Sequence, residues 1–543
     1  MRLYRSFLLA AGLGLASLAP AFAQSGPANV ARLSYVGGNV AVQQAGSQNN
    51  VAAALNAPVL AGDSISTGSD GRAEAQFDGI SMLRVDHDSQ VRFARVDPGN
   101  SVVQLAQGTV NLDLLNGADG SQQIDTPSVS IRGDVSGRYR VTVTGNGDTL
   151  ITVRSGRADV LFPQGTQVLS FGPTLLVSGP ASNPTYRYID AVAYDAFDSF
   201  NQDRDNQWDT RLSNDDYAYD TIDGDDLNSY GQWVWVPNYG RVWSPYAAAG
   251  WAPYRYGQWA WEPGFGWVWV SSDPWGWAPY HYGRWFYAAN HGWCWYPPAP
   301  HPIWAPALVA FFSFGSPGFN ISIGFGNIGW VPLAPWETYH PWWGHSGFSP
   351  RIVNITNVNV YNYYANGRHG GFTAVDARSW QHGDFHHTVA VNETQLHNAR
   401  GFAGALPIAP TANNLRFANH PLAPSLAVRH FNTNEHFATN YVHTAVQTPA
   451  PLHPVNAWDR FNQSRGTNAS STYHATTTTN TYHPQVNTYH PAVNTYHAPA
   501  KTYHAPSSPP VHNSGGSGSS GGSGGNHGNG GGHPHDPHSP APH

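Results

Sequence analysis

Residues 230–296 repeat with a period of 26, and the repeated residues are tryptophan, tyrosine, glycine and proline. Tyr230-Gly231-Gln232-Trp233-Val234-Trp235 returns as Tyr256-Gly257-Gln258-Trp259-Ala260-Trp261, then as Tyr282-Gly283-Arg284-Trp285-Phe286-Tyr287. Gly250-Trp251-Ala252-Pro253-Tyr254 returns as Gly276-Trp277-Ala278-Pro279-Tyr280, and Val242-Trp243 as Val268-Trp269 and Cys294-Trp295. No insertion breaks the register. A tandem copy of one supersecondary unit needs its neighbours to complete its core, which favours an architectural or binding role over catalysis.

Within each copy the tryptophans fall at i and i+2, as in Trp233/Trp235 and Trp267/Trp269. In a strand that spacing puts both rings on one face. Glycines and Pro253 and Pro279 mark strand ends, so each unit reads as two or three short antiparallel strands. Three incomplete copies are too few for a propeller, and a curled sheet, small barrel or solenoid segment is expected instead. Fourteen of the 21 tryptophans lie between Trp233 and Trp304. At roughly 150–250 Å² buried per aromatic ring they could form a core with few aliphatics. The same flat, apolar rings with polar tips could instead stand exposed as a platform for sugars. Tyr254, Arg255, Tyr256, Tyr280, His281 and Tyr282 are the first candidates for such contact, because polar groups accompany the rings.

The rest of the chain sets the context. Charged residues make up only 11% of its 543 residues and the net charge is −7. The scattered arginines form no basic stripe, so nucleic-acid binding is not expected. Arg2 and Arg5, the apolar run Phe7 to Leu18 and Ala21-Phe22-Ala23 read as a cleavable secretory signal over 1–23. The run is short of the ~20 residues a spanning helix needs, so no transmembrane helix is expected in the mature chain. Cys294 is the only cysteine, which rules out an intramolecular disulfide, and its Trp293 and Trp295 neighbours suggest packing rather than reactivity. The apolar run Ile303 to Phe314 reads as a buried strand pair.

Residues 30–180 alternate by two in short runs, such as Arg72 to Phe77, Gln90 to Phe93 and Tyr139 to Val143, punctuated by Gly62-Asp63, Asp70-Gly71 and Asn146-Gly147. That pattern predicts an all-β sandwich or β-roll. Ala61-Gly62-Asp63-Ser64-Ile65-Ser66-Thr67-Gly68, Gly71-Arg72-Ala73, Leu105 to Val110, Asp125-Thr126-Pro127 and Thr152-Val153-Arg154-Ser155-Gly156 follow in order. In these motifs the segment resembles FecR-type extracytoplasmic domains. The resemblance implies an exported β domain that contacts another envelope protein. The regulators that named the family also carry a transmembrane helix and a cytoplasmic segment. A cleavable signal stands here instead, so direct transmembrane signalling is not expected.

Residues 181–226 are acidic and read as a helix around Ile189 to Trp208 followed by a linker. Its carboxylates are expected to form a solvated face. A Ca²⁺ site around Asp220 to Asp225 is the alternative, although the spacing lacks a full EF-hand loop. The repeats, Gly329-Trp330-Val331-Pro332-Leu333-Ala334-Pro335 and the Asn-rich strand Ile352 to Tyr361 make the block 227–378 similar to a Trp/Tyr/Gly/Pro-rich domain of unknown function. Such domains follow FecR-type domains in exported bacterial proteins. That resemblance implies no activity, ligand or catalytic residue.

Large apolar residues thin out over 379–466, which is expected to be poorly ordered. Residues 467–543 carry repeated Thr-Tyr-His and then Gly/Ser-rich sequence, a composition that predicts disorder. The histidines His533, His535 and His538 are candidate metal ligands, and the tail would turn cationic in mild acid. No metalloprotease, phosphate-loop, dinucleotide or nucleophile-elbow motif occurs in its required setting. The expectation is an all-β, non-catalytic exported protein without cofactor, located in the periplasm or at the cell surface. It would bind or scaffold through its repeat aromatics, against cell-wall or extracellular polysaccharide. Two alternatives stand beside it: an accessory sensor docking an envelope signalling partner through the FecR-like domain, and metal capture by the His-rich tail.

Overall fold

In a computed structural model, residues 29–438 are described apart from 98, 116–121, 134–135, 214–226, 300–302, 316–325, 343–352, 356–359, 398, 404–405, 407 and 433–434. The alternating runs of the first half form two sheets facing each other. In one, Thr185–Ile189, Thr174–Ser178, Thr149–Ser155 and Gly137–Val143 lie in antiparallel order beside Val102–Leu114. Ser81–Val85, Arg72–Gln76, Ala31–Gly37 and Pro58–Val59 continue that sheet on the other side. The second sheet runs Asn50–Ala52, Val40–Gln43, Ser64–Thr67 and Gln90–Arg95, again to Val102–Leu114. Beyond it lie Gln123–Asp125, Ser130–Gly133, Arg157–Phe162 and Gly165–Ser170.

One strand, Val102–Leu114, therefore belongs to both sheets. It turns from one to the other at Gly108, whose φ is +91° and whose missing Cβ would lie 2.2 Å from the Ser89 hydroxyl. Only glycine accepts both conditions. The inner faces bury Leu33, Ile65, Leu83, Val91, Phe93, Leu105, Leu112, Val141 and Ile151, an aliphatic core of the kind period-two patterning requires.

The helix Ala196–Ser213 begins and ends a few residues later than expected and lies over a polar row on the outside of the first sheet. Glu74, Arg84, Asn111 and Arg140 are cross-strand neighbours in that row. Arg84 bonds Glu74 at 2.7 Å, Asp113 at 3.0 Å and the helix residue Asp205 at 2.7 Å. The helix residue Arg204 reaches the same Glu74, while Arg140 and Arg154 hold Asp198. The expected solvated acidic face is thus corrected at Asp198 and Asp205, which are buried in ion pairs. Burial alone would raise the Glu74 carboxyl, but Arg204 and Arg84 outweigh it and hold it at about 2. Burial pushes Asp113 up to about 7 against the pull of Arg84. The acidic run Asp220 to Asp225 lies outside the described residues.

Each 26-residue unit is one β-hairpin: Gly231–Val236 with Gly240–Pro245, Gly257–Glu262 with Gly266–Ser271, and Arg284–Ala288 with Gly292–Tyr296. In every copy the same two tryptophans sit directly opposite: Trp233 and Trp243, Trp259 and Trp269, Trp285 and Trp295. Cross-strand aromatic pairs stabilise an antiparallel pair beyond their area alone, which gives the repeat its physical reason. The first and third hairpins join through Trp243 and Trp295 into one four-stranded sheet, and the second stays apart as a two-stranded one. The sheets are open, so no barrel forms.

A five-stranded sheet completes this half, in the order Val353–Ile355, Arg400–Ala403, Val309–Phe314, Asn327–Pro332, Thr373–Asp376. The expected strand pair within Ile303 to Phe314 is a single strand flanked by distant partners. Among its described residues the Asn-rich stretch contributes the short strand Val353–Ile355 and the start of a helical turn at Val360–Tyr363. The expectation of poor order from residue 379 onward is corrected up to residue 438. Arg400–Ala403 pairs in the sheet, and Leu396, Phe402, Leu406, Ile408, Phe417, Leu426 and Phe431 are buried. These apolar residues are sparse, but Leu396, Phe402, Leu406, Ile408 and Phe417 each reach an existing core, so low average hydrophobicity conceals them.

Candidate functional site

The second hairpin has two different faces. Trp259, Trp261, Trp267 and Trp269 alternate with Gln258, Ala260, Glu262, Val268 and Val270. Trp259, Trp267 and Trp269 enter the aromatic core with Trp330, Trp380 and Phe311. Ala260 and Val270 pack into the aliphatic core of the sandwich. One hairpin therefore supplies side chains to both cores.

Buried polar groups lock this junction. Gln44 donates to the Trp261 carbonyl at 3.0 Å and to Glu262 Oε2 at 2.7 Å. Asn56 donates to the carbonyls of Ser271 and Asp273 at 3.2 and 2.8 Å, and Arg32 to that of Pro274 at 3.2 Å. Asp63, from the Gly-Asp turn, accepts from the amides of Ala45 and Leu60 at 2.7 and 2.8 Å. Burial pushes the Asp63 carboxyl up to about 7. Burial, and then the charge of Asp63, push Glu262 up further. Reading along the chain assigned Asp63 to a turn and gave Glu262 no role. The signal that could have found Glu262 is a lone acid on the non-tryptophan face of a hairpin otherwise lined there by Gln, Ala and Val.

The six residues expected to meet a ligand are not brought together on a surface. Tyr254 is fully buried. Its hydroxyl donates to the Tyr280 carbonyl at 2.6 Å and accepts from the Leu308 amide at 3.0 Å. Tyr280 is equally buried, its hydroxyl on Asp273 at 2.7 Å. His281 lies between Trp277 and Trp304, with Nδ1 2.7 Å from the Ala305 carbonyl, and burial lowers its imidazole to about 3. Arg255 is committed to the carbonyls of Gly250, Gly370 and Phe372, and Tyr282 is half-buried. Only Tyr256 is exposed. The expected platform is corrected: these polar groups accompany the rings in order to satisfy one another inside a core.

Among the described residues, six buried indole N–H groups, on Trp259, Trp267, Trp269, Trp277, Trp304 and Trp380, have no oxygen or nitrogen partner. T-shaped contacts such as Trp259–Trp269 and Trp267–Trp380 surround them with other aromatic rings.

The exposed rings lie elsewhere. Tyr239 stacks on Phe286 at 4.2 Å, with Tyr296 and Trp336 at 6.1 and 6.2 Å from it, and Trp336 is 60% exposed. On the sandwich, Tyr186 and Tyr188 stand exposed on its last strand. The Cys294 thiol is buried and raised to about 11, consistent with packing. Among the described residues no cluster of three or more His, Cys, Asp or Glu is placed to hold a metal. His533, His535 and His538 lie outside the described residues. No described helix is long and apolar enough to cross a membrane.

Comparisons with known proteins agree with this division. Residues 63–159 match the family described as FecR protein, and residues 224–338 a family of unknown function (DUF6600). The chain thus carries a FecR domain followed by a DUF6600 domain. Two crystal structures of a candidate anti-sigma factor from Parabacteroides distasonis ATCC 8503 are similar over 24% of this chain, at 12% identity, with TM-scores of 0.20 and 0.21. The chain spans 60% of the length of those structures. No curated protein matches.

Proposed function

We propose that this chain is a non-catalytic exported protein that acts as an accessory sensor, docking an envelope signalling partner through its FecR domain. The observation that carries the reading is the second hairpin, whose two faces complete the core of the FecR domain and that of the aromatic domain. A ligand or strain that shifts the aromatic core is then felt at Gln44, Asn56 and Asp63 through these junction contacts. Transcript profiling tests this in cells that lack the chain and in cells carrying Gln44→Ala with Asn56→Ala. The sensor reading expects both strains to alter the same small set of transcripts. A deletion that leaves transcription unchanged overturns it.

A second reading, contact with wall polysaccharide, is favoured by the exposed rings Tyr296 and Trp336, which flank the half-buried Tyr239. Co-sedimentation with purified sacculi tests it: binding is expected for the intact chain and is lost in Trp336→Ala. Equal sedimentation of the two proteins removes these rings from consideration.

A further inference from the structure

We propose that one free edge strand of the FecR domain, Thr185–Ile189, is where the partner docks, by accepting an extended strand with an acidic residue at its centre. This rests on the reading that the domain docks a partner, and it adds the surface and the chemistry of the segment it takes.

The strand Thr185–Ile189 pairs with Thr174–Ser178 and, among the described residues, with no other strand. Its outer row of amides and carbonyls is therefore a template for a further strand. The opposite side of the sandwich is not free. There Asn56 is bonded to the second hairpin, and Asn50 donates to the carbonyls of Leu426 and Arg429 at 2.9 and 2.7 Å.

The open side is also apolar where it is wet. Tyr186 and Tyr188 are 48% and 47% exposed, with ring centroids 6.5 Å apart. Tyr186 packs on Phe162 at 4.9 Å and its hydroxyl reaches Gln167, beside which Val168 is 48% exposed. This rim joins the edge strands of both sheets. Natural edge strands are blunted by lysine, internal proline or a bulge. Thr185–Ile189 has none of these, and its register with Thr174–Ser178 is unbroken.

The single charge chooses the occupant. Arg187 is the middle residue of the strand. Antiparallel pairing of two copies about that centre would set Arg187 against Arg187, and like charges directly opposite each other destabilise a strand pair. A strand from another protein, with Asp or Glu facing Arg187 and β-branched or aromatic residues on either side to meet Tyr186 and Tyr188, has no such conflict.

The probes are nine-residue Thr/Val peptides with a central Glu, a central Lys, or a central Glu and N-methylated alternate amides, titrated against the full chain. The Glu peptide is expected to bind about 10-fold tighter than the Lys peptide, and Arg187→Glu to reverse that order, by the sign of the cross-strand charge pair. N-methylation is expected to abolish binding, and hydrogen exchange to slow at 185–189. Equal binding of Glu and Lys peptides, indifference to N-methylation, or protection elsewhere overturns the proposal.

In cells, a photo-crosslinking residue at Tyr188 is compared with one at the exposed Asn100 of the same domain. A Tyr188 crosslink to an acidic extended segment, lost in Arg187→Glu, supports the proposal. A crosslink only at Asn100 overturns it while leaving the sensor reading intact, and crosslinks at neither position count against both. A Tyr188 crosslink to a second copy of this chain replaces the acidic partner with self-pairing.

Discussion

The FecR domain and the aromatic domain start from the same period-two pattern and stabilise it by opposite means. In the first, aliphatic side chains fill the space between two sheets, and the polar row outside is buried under a helix by ion pairs. In the second, small hairpins that could not fold alone place tryptophan opposite tryptophan and share their rings across strands, loops and a helix. The contrast teaches that alternation sets which residues share a face, while side-chain size decides how many strands a core needs. A two-stranded hairpin can serve such a core when its inward indoles pack on rings from other elements.

The largest test of that contrast is Trp259→Ala. Removing a ring that meets Trp269, Phe311, Trp330 and Trp380 is expected to cost about 3–5 kcal/mol. Because the hairpin also feeds the sandwich core, calorimetry should show both domains melting earlier in one transition. Two separated transitions would break the coupling.

Next in size, Glu74→Gln leaves Arg84 and Arg204 short of a charge and is expected to cost about 3–5 kcal/mol by urea unfolding. Glu262→Gln, at a carboxyl that burial pushes up, should fall within about 1 kcal/mol of the parent. Equal losses at both sites would mean that the two buried acids are in the same state. Gly108→Ala forces a left-handed backbone and a clash on Ser89 and is expected to cost about 1–3 kcal/mol.

A change of pH separates the helix contact from the hairpin junction, both within the FecR domain. Glu74 is depressed from 4.5 to about 2, so its contribution is present above pH 4.5 and is lost as pH falls towards 2. Asp63 is raised from 3.8 to about 7, so its contribution is present below pH 3.8 and is lost as pH rises through about 7. Acid should therefore loosen the helix on the sandwich, and rising pH both the junction with the second hairpin and the Asp113 end of the ion-pair row. Hydrogen exchange at pH 3 and pH 8 checks this, and a junction that opens at pH 3 rather than at pH 8 would refute the assignment.

Much of this was legible along the chain, for reasons that also mark the limits. Gly62-Asp63 and the alternating runs specify local turns and strands, and the 26-residue register specifies hairpins, since both depend on neighbours in sequence. The fate of Tyr254 was not legible, because partners of its polar atoms come from Leu308 and Trp330, far along the chain. The acidic helix misled for a related reason. Phe197, Asp198, Asn201, Arg204, Asp205 and Trp208 recur at helical spacing and are all buried, but a polar stripe reads as a solvent face until the Arg84 and Arg140 row is in view. The candidate edge was least visible, since an unpaired strand is defined by what fails to lie beside it.

The strand shared by the two sheets has a mechanical consequence. Sheets joined only through loops can slide over each other by side-chain slippage. Val102–Leu114 is hydrogen-bonded as a ladder into both, so shear between the sheets must break backbone bonds in one of them. A pull on the free edge at Thr185–Ile189 then travels as tension through the sheet to that strand, and on to the turn around Asp63, rather than being lost in a soft interior.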